Sequence, residues 1–108
     1  MISNAAPGEV SEIIAGHRAL AVLRILIGED CHGSSNDGAL ADVLDAFGLG
    51  CARATLRQCL SHLEHSGLLT LATVDSIVVV RLTRNGAEVA EGKATAEGVR
   101  PFVAGGPY

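Results

Sequence analysis

The sequence predicts a mainly α fold with one small β-hairpin, in the order helix, helix, helix, strand, strand, helix (α-α-α-β-β-α). Three observations carry that prediction. Apolar residues recur at helical spacing in three segments before residue 67. Two β-rich runs, LLTLATV (68–74) and IVVVRLT (77–83), are parted only by Asp75-Ser76, as in a tight hairpin. Glycines or capping residues stand at the junctions between segments. A chain of 108 residues makes one domain with a modest core, here placed over 10–93 between a flexible start (1–9) and a flexible tail (94–108).

In the first helix Ile13, Ile14, Leu20, Leu23 and Ile27 form an apolar stripe, and Gly28 ends it. Val22, Ile25 and Leu26 widen the stripe, so this helix is expected to be covered on several sides, in part by a second subunit. EDCHGSSNDG (29–38) reads as a loop in which Ser35, Asn36 or Asp37 caps the next helix. The second helix turns Leu40, Val43, Leu44 and Phe47 inward and stops at Gly48. Within 51–66 the third helix buries Leu56, Leu60 and Leu63 with Ala52 and Cys59, and shows Ala54, Gln58, Ser61 and His65 on its far side. Arg53, Arg57 and Glu64 border one edge, Thr55 and His62 the other. Gly67 closes it with a residue free to take positive φ. Thr83 is placed to cap a short last helix with Ala87, Val89 and Ala90 on its inner side.

The formal net charge is −4, unevenly spread: −5 over 1–48, +2 over 49–87 and −1 beyond. Salt screens charges farther apart than about 10 Å, so a local positive field around the third helix survives on an acidic chain. The three aromatic residues, Phe47, Phe102 and Tyr108, offer no stacking platform for single-stranded nucleic acid. No run is long and uncharged enough for a membrane helix, and the N-terminus lacks the pattern of a secretion signal. An odd set of three cysteines among core-like residues suggests reduced thiols and a cytoplasmic setting.

Cys59, His62 and His65 follow one another at i+3, with Cys31-His32 in the loop before helix two, but these steps wind around the helix instead of converging. No metal site and no cofactor are therefore expected. No nucleophile–base pair or glycine-rich phosphate loop is visible, and no catalysis is expected.

Three stretches carry a family resemblance: HRALAVLRIL (17–26), ATLRQCLSHLEHSGLLTL (54–71) and VVRLTRNGAEVAEG (79–92). The cadence of Leu60, Leu63, Gly67, Leu68 and Leu69, and the run of Leu82, Thr83, Gly86, Val89, Ala90 and Gly92, resemble winged helix-turn-helix proteins. They are similar to bacterial regulators of the arsenic-repressor and multiple-antibiotic-resistance types and, in length and spacing, to small winged-helix proteins of Mu-like prophages. The resemblance spans roughly 10–93 and implies a phage or prophage transcriptional regulator, homodimeric and bound to double-stranded DNA. It implies a third helix in the major groove, with Thr55, Arg57, Gln58, Ser61 and His62 toward bases and Arg53, Arg81 and Arg84 near phosphates.

A second reading stays open: an interaction module for a phage or host protein, since winged helices are reused for protein contacts. The acidic Asp75-Ser76 tip, Glu64 beside Arg57, and the over-apolar first helix all lean toward it. Arginines of helix three found tied to carboxylates of their own chain would turn the assignment to that second reading.

Overall fold

The computed structural model describes residues 7–108. The expected flexible start over 1–9 lies outside the described residues as far as residue 6. Helix α1 (Pro7–Ile27) carries Glu9 near its described start, where the carboxylate faces the positive end of the helix dipole. The two halves of α1 differ. Val10, Ile13 and Ile14 are exposed on the first half, whereas Ala19 through Leu23 and Leu26 are buried on the second. The wide apolar surface read from the sequence is thus covered, in its second half, by this chain's own α2, α3 and α4.

One element departs from the expected order. Inside the supposed loop 29–38, Ser34–Asn36 form strand β1, paired antiparallel with β3 through Ser34↔Arg81, Ser35↔Val80 and Asn36↔Val79. Among the described residues the fold is therefore mixed: four helices and a three-stranded antiparallel sheet of order β1-β3-β2, a small α+β domain whose sheet has one strand more than the expected hairpin. Three polar residues without alternation carry no strand signal of their own. The strand exists because β3 offers it an unpaired edge.

Helix α2 (Asp37–Ala46) follows at once, and Asn36 is its cap: Oδ1 accepts from the Ala39 N–H at 2.8 Å. Phe47, expected on its inner face, is the residue after the last turn and stays 46 % exposed. Helix α3 (Arg53–His65) ends at Ser66, with Gly67 at φ 79°. Strands β2 (Leu69–Val74) and β3 (Ile77–Leu82) form the hairpin with Val74 opposite Ile77. Thr83 caps α4 (Arg84–Ala90): its hydroxyl oxygen accepts from Gly86 N–H at 3.1 Å while the hydroxyl donates to the Gly67 carbonyl at 2.7 Å.

The core is largely leucine. Leu20, Leu23 and Leu26 of α1 meet Leu40 and Leu44 of α2, Leu56, Leu60 and Leu63 of α3, and Leu69 and Val80 of the sheet. Each such side chain contributes about 1.5–3 kcal/mol on leaving water.

The segment after α4 has no regular structure, yet the expected free tail over 94–108 is laid along α1. Arg100 N–H donates to the Gly16 carbonyl at 3.1 Å, Val99 is buried, and Tyr108 Oη pairs with His17 Nδ1 at 2.8 Å. The Arg24 guanidinium sits 4.1 Å from the Phe102 ring centre and donates to the Ala90 carbonyl at the end of α4.

Candidate functional site

Asp37 is the first residue of α2 and the hub of the region around α3. Its Oδ2 accepts from Arg57 Nη2 at 2.9 Å, Arg57 Nε at 3.2 Å and Arg53 Nη1 at 3.3 Å. Its Oδ1 accepts from the backbone N–H of Val78 at 3.2 Å and of Gly38 at 3.1 Å. The carboxylate is 3 % exposed, while the two arginine side chains are 51 % and 46 % exposed. Burial pushes the Asp37 carboxyl upward in pKa. The hydrogen bonds from Arg57 and Val78 and the charges of both arginines outweigh it, so the group titrates below the ordinary carboxylate value.

Arg57 is committed further. Its Nη2 also donates to the Ser76 carbonyl at 3.1 Å, tying the hairpin tip to α3. Glu64 is not free beside it either: Oε2 accepts the Leu71 N–H at 3.0 Å on the outer edge of β2. The positive edge read along α3 is therefore a bracing network joining α2, α3 and the hairpin, with a surplus of one positive charge across Asp37, Arg53 and Arg57.

The other residues expected at a DNA interface divide among several surfaces, and Ser61 is the one that shares a groove with Arg57. Thr55, Gln58 and His62 line a cavity of about 540 Å³ shared with α1 and with Glu97 and Gly98 of the terminal segment. The Glu97 carbonyl lies 3.3 Å from His62 Nε2. Ser61 faces a groove with Arg57, Glu64, Leu71, Thr73 and Val78. Arg84 is exposed at the start of α4. Arg81 is exposed on β3 opposite Thr70, and strand alternation sets it on the sheet face away from buried Val80. That outer face is otherwise apolar near the tip, where exposed Val74 and Ile77 pair across the strands beside Ala72 and Val79.

Two residues that matter here were not read for these roles from the sequence, where Asp37 stood only as one of three candidate caps. Asp37 carries no local signal, because Arg53, Arg57 and Val78 lie 16, 20 and 41 positions away. Arg18 does carry one: it is a charge at the edge of the apolar stretch of α1, and it is 8 % exposed. Burial pushes the neighbouring Cys59 thiol up to about 11, against the pull of the Arg18 charge, which keeps it protonated at neutral pH. Among the described residues no three His, Cys, Asp or Glu side chains converge as metal ligands, and no helix is long and apolar enough to cross a membrane.

No family model matches the chain, and no solved structure matches it. One protein of Escherichia phage Mu, named "Uncharacterized protein gp26", does. It is 35 % identical over 91 residues, which cover 84 % of this chain and 93 % of the phage protein. The likeness thus extends over most of the length of both proteins. The link to Mu-like phages implied by the sequence motifs is met here, and the chain belongs to the family of phage Mu gp26.

Proposed function

We propose that the chain is a winged-helix module whose business is contact with another protein, phage or host. The order α1-β1-α2-α3-β2-β3-α4, with the hairpin braced against α2 and α3, supports the winged-helix reading of the fold. The observation that carries the function is the pairing of Arg53 and Arg57 with Asp37. It commits the arginines of α3 to their own domain, where a DNA-reading helix would leave them for phosphate and guanine. The apolar outer face of the hairpin and the acidic Asp75 at its tip point the same way, since neither attracts a polyanion.

A second reading keeps DNA as the partner and the protein as a transcriptional regulator. It is favoured by the exposed polar side of α3, with Thr55, Gln58, Ser61 and His62, and by Arg53, four of whose five N–H donors are unused by Asp37. A mobility-shift measurement on random duplex and on the gene's own upstream region, at low salt, separates the two. The protein-contact reading expects no shift on either. A salt-sensitive shift overturns it, above all one whose log–log salt slope flattens by about 0.9 for every phosphate that Arg53→Ala or Arg81→Ala no longer neutralises.

The same proposal includes self-association through α1. Val10, Ile13 and Ile14 lie at i, i+3, i+4 spacing, are 42 %, 55 % and 42 % exposed, and are left open by the described residues. Sedimentation equilibrium is expected to show a dimer that Ile13→Glu converts to a folded monomer. A wild-type chain that stays monomeric at high concentration removes the dimer from the proposal.

A further inference from the structure

The cavity between α1 and α3 holds a cation without a counter-ion. Arg18 is nine-tenths buried, and its one hydrogen bond runs from Nε to the Leu49 carbonyl at 3.0 Å. Among the described residues no carboxylate pairs with it, and neither Nη has an acceptor. Both Nη groups are outside the enclosed core, where, among those same residues, Arg24 Nε is the one polar side-chain atom left unpartnered. Arg18 instead lines the cavity of about 540 Å³, facing Thr55, Gln58 and His62 from α3. The two Nη groups open into that cavity, and the planar fork of a guanidinium matches a carboxylate through two parallel hydrogen bonds.

We infer that this cavity is a binding site for a small organic monocarboxylate, its carboxylate paired with Arg18 and its apolar body lying on Ala15, Ala19 and Cys59. The volume falls within the range of about 300–1,000 Å³ usual for small-molecule pockets. Thr55 and Gln58 supply a hydroxyl and an amide that complete the polar end. Glu12 and Glu97 stand at the rim. Their charges repel anions in proportion to charge, so a single carboxylate held directly on Arg18 is disfavoured less than phosphate. Cys59, protonated at neutral pH, adds no opposing charge at the bottom of the site. Because α3 forms one wall and the terminal segment closes one side through His62 and Glu97, a bound ligand would brace both against α1.

Benzoate is the probe, with benzamide as its neutral isostere and inorganic phosphate, at a pH where it is mainly the dianion, as the more highly charged anion. Titrations of the full chain are followed by ¹H–¹⁵N NMR. Benzoate is expected to shift the amides of Ala15, Arg18, Thr55, Cys59 and Gly98, and benzamide and phosphate are expected to leave them in place. Arg18→Met should weaken benzoate at least about tenfold, as loss of a charge-assisted pair implies. Ala15→Phe plugs the mouth from an exposed position, and so tests the site without touching the buried arginine. Three results overturn the inference: no shifts with millimolar benzoate, equal binding of benzamide, or benzoate binding that survives Ala15→Phe unchanged.

Discussion

Asp37→Ala lowers the stability of the domain by about 3 kcal/mol, read from urea denaturation followed by circular dichroism. The figure follows from removing the buried partner of two guanidinium groups and of the Val78 N–H, after which Arg57 keeps only the Ser76 carbonyl and the other donors lose their acceptor. The half-exposed arginines recover part of the loss in water, which holds the effect below that of a fully enclosed ion pair. The hairpin should loosen first, because Val78 and the Ser76 carbonyl are anchored through this cluster. A change within about 0.5 kcal/mol, the size of an ordinary surface substitution, would sink the bracing role.

The same carboxylate gives the domain an acid-sensitive term. Its folded pKa lies below the ordinary value, so its contribution is whole above about pH 4 and is lost as pH falls through the depressed folded value. Asp37→Asn has no such proton to gain. Its stability is expected to be lower at neutral pH and to converge on that of wild type below about pH 4.

Gly86→Ala is the second large effect, about 3 kcal/mol or more by the same measurement. A Cβ at residue 86 would overlap the Leu68 carbonyl oxygen and stand 2.7 Å from Leu82 Cδ1. The obstacle is backbone that also accepts from the Thr83 N–H at 3.1 Å, so it cannot swing aside without undoing the junction between β3 and α4. Gly8→Ala is the control: among the described residues nothing lies within 4 Å of its Cβ, and the helix gains up to about 0.5–1 kcal/mol of propensity. If Gly86→Ala melts with wild type, α4 does not pack at this distance in solution.

Local chemistry explains which parts of this fold could be read from the chain. The cap at Thr83, the cap at Asn36 (one of three candidates), the stop at Gly67, the two-residue turn at Asp75-Ser76 and the leucine stripe of α3 all depend on neighbours within four residues, and each stands within its expected stretch. β1 was hidden because Ser34–Asn36 is a strand only by virtue of β3, more than forty residues away. The packed course of 94–108 was hidden because Val99, Phe102 and Tyr108 are spaced without period and find α1 singly. The candidate site divides along the same line. The edges of α3 were legible from its angular spacing, with Arg57 and Glu64 on one and Thr55 and His62 on the other. That Asp37 would consume the arginines, and that Arg18 would face the opposite edge unpaired, depends on how α1 and α2 cross α3.

A bare sheet border invites strands of other chains to stitch on, the first step toward fibres. Here the outward amide at the middle of β2, Leu71 N–H, is already occupied by Glu64, whose carboxylate also adds a negative charge to that border. One acid on a neighbouring helix thus guards a long apolar hairpin against recruiting its own kind, leaving its outer side chains free for a chosen companion.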